Sequence, residues 1–375
     1  MAKVFNWQLD REMDYLYEGA RPQKQFAAVF DINKCIACQT CTIACKNAWT
    51  SGRGQEYMFF NNVESKPYGF YPLAWDVKLL DALGAQSWEA GRYAGQTVFE
   101  VAPTGSAALG FLPEDDDWAH PNLGEDEIYG KVDAGTHLAL THIAWTFYLQ
   151  RICNHCTYPA CLASCPRKAI YKRAEDGIVL VDQTRCRGYR ECVKGCPYKK
   201  VLYNAVTRIS EKCLACYPLV EQGRQTYCML TCIGRIRLGG WIHTPDKVEP
   251  DNPVDFLVHV KKVALPLYPQ FGTEPNIYYV PPKHVPTPFL RQMFGPGVEQ
   301  AIANYTKAAD DPELLGVLLL MGSTDRWIER FRVKDGIAYG YDAKGAEITR
   351  VPLKEPIYVR PFFDAALKTY RHNVT

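Results

Sequence analysis

Cysteine is the residue that could do chemistry in this chain. It occurs fifteen times, in four groups with none left over. The first group is Cys35, Cys38, Cys41 and Cys45, spaced C-x2-C-x2-C-x3-C. The second is Cys153, Cys156, Cys161 and Cys165, spaced C-x2-C-x4-C-x3-C and followed by Pro166. The third is Cys186, Cys192 and Cys196, then Pro197. The fourth is Cys213, Cys216, Cys228 and Cys232, with eleven residues between its middle pair. In the first spacing, three thiolates on a tight turn wrap an iron–sulfur cubane. A fourth, a helical turn further on, points away and reaches a second cluster. Proline after the last cysteine ends the turn and removes a competing N–H donor.

Other uses of cysteine fit less well. Structural zinc uses paired C-x2-C knuckles, and only the fourth group can be read that way. Disulfides would need an oxidising compartment and would leave one thiol over. His155 lies between Cys153 and Cys156. No cysteine of that group is missing, so it reads as a polar loop residue that hydrogen-bonds near a cluster.

The third group departs from the template. Read as C-x2-Y-x2-C-x3-C-P, it has Tyr189 in the second-ligand slot. Tyrosine is a poor ligand for that corner iron, and its ring is expected to fill the space. A cubane lacking one corner ligand tends to lose that iron. The expectation is one [3Fe–4S] cluster here and three [4Fe–4S] clusters elsewhere, roughly 15 irons per chain.

The elements around the groups repeat. QFAAVFDINKC leads into Cys35, IVLVDQTRC into Cys186 and VTRISEKC into Cys213. Each reads as a strand, a short turn and a cation before the first cysteine. Ala169 to Asp182 reads as a hairpin between the second and third groups. This is the layout of a two-cluster ferredoxin. Groups two and three form one such module. Groups one and four form the other, although 167 residues separate Cys45 from Cys213. Ligand exchange within each module then gives four sets. Cys35, Cys38 and Cys41 share a [4Fe–4S] cluster with Cys232. Cys213, Cys216 and Cys228 take Cys45 for a second, and Cys153, Cys156 and Cys161 take Cys196 for a third. Cys165, Cys186 and Cys192 hold the [3Fe–4S] cluster.

The fold expected is α+β, with two ferredoxin-like modules, a long insertion and a C-terminal extension. Residues 1–50 and 206–242 are the halves of one module, 146–205 the other. Residues 51–145 are the insertion and 243–375 the extension. Gly54 to Pro72, aromatic and proline-rich, reads as a partner-docking surface, and Glu114 to Trp118 as a solvated acidic loop. Ala264 to Pro282 holds too many prolines for regular structure and reads as an extended arm. Residues 297–333 read as helical with Pro312 interrupting, and Ile337 to Val351 as a hairpin. Lys34, Lys46, Arg167, Lys168, Arg185, Arg187, Arg190, Lys199, Lys200 and Lys212 crowd the cysteine loops. They either raise cluster potentials or form a solvated basic face.

A net charge of +2 points to neither nucleic acid nor an anionic membrane surface. The longest apolar run, Leu314 to Met321, is far short of a membrane span. The first residues lack an apolar h-region and a twin-arginine pair. A soluble chain is expected, meeting membranes only through partners. No phosphate loop, dinucleotide fingerprint or G-x-S-x-G occurs, so no substrate chemistry is expected of the chain itself.

The four groups, the C-R-G-Y-R-x-C run, the N-N-V-E-x-K-P stretch and the A-L-P-L-Y-P-x-F-G-T-E-P-N segment resemble a known family. They are similar to the iron–sulfur β subunit of the respiratory nitrate reductase and nitrite oxidoreductase group, within the dimethyl sulfoxide reductase family. NWQL and GQEYMFFNNVESKPYGFYP look closest to nitrite oxidoreductase. The resemblance implies four clusters in a row, one of them [3Fe–4S] with an aromatic residue replacing a cysteine. It implies a catalytic α subunit holding a molybdenum bis-pterin cofactor and a haem-bearing γ subunit or carrier. The cluster of Cys35, Cys38, Cys41 and Cys232 would lie nearest molybdenum, and the three-iron cluster nearest haem. This chain is shorter than the cytoplasmic nitrate reductase type. That favours the exported branch, which includes perchlorate, chlorate and selenate reductases and ethylbenzene and dimethyl sulfide dehydrogenases. A periplasmic or outward-facing site, reached with a signal-bearing partner, is expected; the cytoplasmic face of the membrane is the alternative.

Overall fold

The computed structural model describes residues 2–18, 21–22, 24–66, 75–112, 114, 145–354 and 362–371. Its centre is a four-stranded sheet drawn from distant parts of the chain. Strand Gln25–Asp31 pairs antiparallel with Arg237–Ile242 on one side and parallel with Ile277–Val280 on the other. Leu265–Pro266 completes the far edge. The inner strands are buried along their whole length, so they read as continuous apolar runs without a solvent face. Alternation still sorts them. Phe26, Ala28, Phe30, Ile277 and Tyr279 join a large core that also contains cysteines of several groups. Ala27, Val29, Leu238, Tyr278 and Val280 face a second core formed with helix Pro312–Leu320.

Each cysteine group sits on a short helix, and these helices meet in pairs. Thr40–Trp49 packs on Tyr227–Leu230, and Ala160–Ala163 packs on Glu191–Gly195. Hairpins link the groups. Ile170–Lys172 pairs with Val179–Val181, as the sequence suggests. Val201–Asn204 pairs with Ile209–Lys212 and delivers the chain to Cys213. The C-terminal hairpin Ile337–Tyr341 with Glu347–Pro352 is also present. It gains a third strand, Arg330–Lys334, that the sequence reading missed.

Two expectations are corrected. The segment Ala264 to Pro282 is no arm. It supplies two strands of the central sheet, and Tyr268, Phe271, Tyr278 and Tyr279 are buried. Its prolines flank the four strand-formers Ile277–Val280 and do not interrupt them. Residues 297–333 are helical only in part. Pro312 begins the helix Pro312–Leu320 instead of interrupting one. It stands at the first turn, where no N–H is needed, and the Asp311 side chain caps the Leu314 N–H at 3.1 Å. The chain then leaves the helix and enters strand Arg330–Lys334.

The start of the insertion is anchored on the protein's own core. Met58, Phe60, Asn61, Val63 and Glu64 are buried, and strand Asn62–Lys66 pairs antiparallel with Phe147–Arg151. Just before this anchored part, Tyr57 is 94% exposed. Residues 67–72 of the Gly54 to Pro72 stretch, and 115–118 of the acidic loop, lie outside the described residues. Among the described residues no helix is long and apolar enough to cross a membrane.

Candidate metal centres

The four loops share one backbone device. The residue two past the first cysteine takes positive φ in each: Ala37 at 54°, His155 at 43°, Gly188 at 68° and Ala215 at 52°. This left-handed kink costs non-glycine residues roughly 1–2 kcal/mol each. It turns backbone N–H groups onto sulfur. His155 N donates to Cys153 Sγ at 3.5 Å, and Ala215 N to Cys213 Sγ at 3.4 Å. At Gly188 a side chain is excluded outright, because a Cβ would lie 2.3 Å from the Arg208 carbonyl oxygen. A second kink closes three of the loops. Lys168, Lys199 and Arg235 have φ near 50°, and each N–H bonds back at 3.1 Å to the carbonyl of Cys165, Cys196 or Cys232. Cys45 differs, since its helix runs on to Trp49.

The fold brings the thiols together across long stretches of sequence. Cys35, Cys38, Cys41 and Cys232 line one cavity, walled by Gln150 and Arg237. Cys45, Cys213, Cys216 and Cys228 line another, walled by Trp49 and Asn61. Cys153, Cys156, Cys161 and Cys196 stand within one another's electrostatic reach. Cys192 stands likewise beside Cys165 and Cys186. All fifteen cysteines are unpaired thiols. Thiols that line one cavity from separate parts of the chain suit a cluster.

Burial dominates the acidity of these thiols. It pushes Cys213 and Cys216 up to about 12 and Cys192 to about 11. Cys45, Cys156, Cys161, Cys196, Cys228 and Cys35 are also raised by burial. Cys38, at the surface, is lowered by its hydrogen bonds with Thr40. Buried thiols therefore hold their protons until a metal displaces them. Donors stand ready around the sulfurs. Trp49 Nε1 donates to Cys216 Sγ at 3.1 Å, and Ala169 N to Cys165 Sγ at 3.2 Å. Ser210 N donates to Cys186 Sγ at 3.4 Å, and the Ser210 hydroxyl meets Cys192 Sγ at 3.3 Å.

The basic residues divide into two classes. Lys34, Arg167, Lys168, Arg185, Arg187 and Arg190 face solvent, and Lys46 is half-buried. Lys199, Lys200 and Lys212 are buried. Burial pulls Lys200 down to about 7, partly offset by Glu64 and by the thiols of Cys213 and Cys45. Lys172 and Arg237 were missed from sequence. Lys172 Nζ donates to Cys156 O at 3.1 Å, and burial lowers it to about 7. Arg237 is 1% exposed, and its Nη2 donates to Cys41 Sγ at 3.1 Å. Its signal was a charge inside RLGGWI, a strand with no exposed position.

Tyr189 occupies the slot after the Gly188 kink, and its ring is 62% exposed. The slot lies at the surface, where its counterpart Cys38 is exposed too. His155 is fully buried against Phe26. Its Nδ1 accepts the Val179 N–H at 3.1 Å, so the neutral ring carries its proton on Nε2, which has no protein partner. Burial, then Lys212 and Lys172, hold its pKa well down.

Kinked thiol loops, cavities walled by sulfur and buried donors define an iron–sulfur electron-transfer protein. Residues 144–240 match the 4Fe-4S dicluster domain family. The chain is 43% identical over 339 residues to the chlorate reductase subunit beta of Ideonella dechloratans, covering 81% of this chain and 99% of that one. It is equally similar, with the same coverage, to the selenate reductase subunit beta of Thauera selenatis. The respiratory nitrate reductase subunit beta of Haloferax mediterranei is 41% identical over 74% of this chain and 84% of its own. The chain belongs to the iron–sulfur β subunits of the dimethyl sulfoxide reductase family of molybdoenzymes. As an electron-transfer subunit it works beside a catalytic α subunit.

Proposed function

We propose that this chain relays single electrons through three [4Fe–4S] clusters and one [3Fe–4S] cluster. Cys35, Cys38, Cys41 and Cys232 would hold one four-iron cluster, and Cys45, Cys213, Cys216 and Cys228 another. Cys153, Cys156, Cys161 and Cys196 would hold the third, and Cys165, Cys186 and Cys192 the three-iron cluster. The gathering of four separate thiol sets from residues 35–232 carries this reading. Clusters supply one-electron uptake and release. The chain supplies spacing, insulation and hydrogen bonds to sulfur. Sets one and two of this order occupy one ferredoxin-like module, and the other two a second.

The relay runs between a molybdenum bis-pterin α subunit and a haem-bearing subunit or carrier. Substrate chemistry resides on the α subunit. Two readings of it stand: interconversion of nitrite and nitrate, and reduction of another oxyanion such as chlorate or selenate. The 43% identity to chlorate and selenate reductase subunits supports the second as well as the 41% identity to a nitrate reductase subunit supports the first. The complex is placed at the periplasmic or outward face, with the cytoplasmic face as the alternative.

Purification of the native complex tests both levels. About 15 irons per chain and an oxidised three-iron signal are expected from the four sets. Zinc in place of iron, or no three-iron signal, would overturn the cluster assignment. Turnover with nitrite, nitrate, chlorate and selenate, using artificial electron carriers, then decides the substrate.

A further inference from the structure

Two buried cations sit between thiol sets, each facing two of them. Arg237 walls the cavity of Cys35, Cys38, Cys41 and Cys232. Its Nη2 donates to Cys41 Sγ at 3.1 Å. Its Nη1 donates at 2.9 Å to Asn61 Oδ1, and Asn61 walls the neighbouring cavity of Cys45, Cys213, Cys216 and Cys228. The guanidinium also reaches the Cys228 thiol of that second set. Phe30 covers its face, 4.5 Å from the ring centre. Burial alone would lower Arg237, yet the sulfurs of Cys41, Cys228, Cys232 and Cys35 outweigh burial and raise it.

Lys212 repeats the arrangement one step along. Its Nζ donates to the Cys213 carbonyl at 2.8 Å and to the Val179 carbonyl. Cys153 and Cys161 of one set and Cys213 of the other all lie within reach of its charge. Ser210 stands two residues earlier on the same strand face and turns a neutral hydroxyl to Cys192. One strand thus gives a cation to one pair of sets and a neutral hydroxyl, accepting from Cys192 Sγ, to the three-cysteine set.

We propose that Arg237 and Lys212 are shared positioning cations, each raising the reduction potential of two neighbouring clusters at once. A charge seated between two anionic centres lowers the energy of an electron on either one. It also screens the repulsion when both are reduced. In the low dielectric around Phe30 this effect is strong, and salt does not reach it. Arginine suits the first position because its planar fork holds Asn61 and sulfur on two separate nitrogens.

The inference rests on the cluster assignment proposed above, and the test separates the two. Arg237→Gln and Arg237→Lys would be purified within the native complex. Iron and sulfide would be counted first, and each cluster then titrated by electron paramagnetic resonance against potential. A count matching wild type keeps the cluster assignment; a low count in wild type itself overturns that assignment and not this one. With clusters present, Arg237→Gln is expected to lower two potentials together and leave the three-iron signal in place. A shift confined to one cluster, or no shift, overturns the shared role. Should Arg237→Gln fail to assemble, Arg237→Lys decides. Its point charge sits nearer one set, so two potentials move by unequal amounts, and unchanged potentials overturn the proposal. Lys212→Met is expected to lower a different pair, with one member in common with Arg237. Two pairs with no common member would also overturn it.

Discussion

The indole Nε1 of Trp49 donates to Cys216 Sγ at 3.1 Å, joining residues 167 positions apart. Trp49 ends the helix that carries Cys41 and Cys45, while Cys216 opens the turn of the fourth group. Hydrogen bonds to cluster sulfur stabilise the reduced, more negative state. Trp49→Phe keeps the ring and removes the donor. The cluster of Cys45, Cys213, Cys216 and Cys228 is expected to fall by roughly 20–45 mV, equivalent to about 0.5–1 kcal/mol for one electron. Redox titration checks this, with the other three potentials as internal controls.

Tyr189→Cys tests the missing ligand. The slot already follows a left-handed kink at Gly188, as Cys156 follows His155 and Cys38 follows Ala37. Only the sulfur is absent. The variant is expected to trade its three-iron signal for a four-iron one, at lower potential. Because the Tyr189 ring is exposed, its loss should cost under about 1 kcal/mol of stability. Survival of the three-iron signal would show that the loop cannot present a fourth ligand.

A buried ion pair ties the insertion to the cysteine region. Arg151 Nη1 meets Glu64 Oε2 at 2.6 Å, and both side chains are at most 2% exposed. The same guanidinium donates to the Tyr198 carbonyl, two residues past Cys196, and lies 4.1 Å over the Trp75 ring. Glu64→Gln leaves this guanidinium without its counter-charge. A loss of about 3–5 kcal/mol is expected. It should appear as bleaching of the visible cluster absorbance at lower denaturant concentration than in wild type.

The pair His243 and Asp255 gives stability a pH slope. His243 Nδ1 lies 2.7 Å from Asp255 Oδ2, and this hydrogen bond is the main cause raising the His243 pKa above its ordinary 6.5. A raised folded value means that the folded state holds the proton more tightly. The stabilisation is full below about 6.5 and fades as pH rises through the folded value. The pair's contribution is expected to fade between about pH 6 and pH 8, so wild type loses its margin over Asp255→Asn across that window. Urea midpoints at the two pH values, with iron content held equal, make the comparison.

Local signals carried the cysteine loops and both hairpins into view. Spacing, the prolines after Cys165 and Cys196, and runs such as Val179–Val181 act over a few residues, and the folded chain keeps them. What stayed hidden depends on distant pairing. Ile277–Val280 is short and hemmed by prolines. It becomes a strand because Gln25–Asp31 offers an open edge about 250 positions away. Arg237 looked like an ordinary charge until its strand was seen to have no outside. The exposure of the Tyr189 slot was hidden as well, since spacing says nothing of which way a loop position opens.

The central sheet also sets a timetable. Gln25–Asp31 leaves the ribosome early, yet its two neighbours, Arg237–Ile242 and Ile277–Val280, emerge only after more than half the chain has been made. Cys35, Cys38 and Cys41 must wait unsupported for Cys232 and its strand. Cys153 to Cys196, by contrast, emerge close together with their hairpin. The set of Cys35, Cys38, Cys41 and Cys232 is therefore completed last, and an interrupted synthesis leaves it one thiol short while Cys153 to Cys196 are all present.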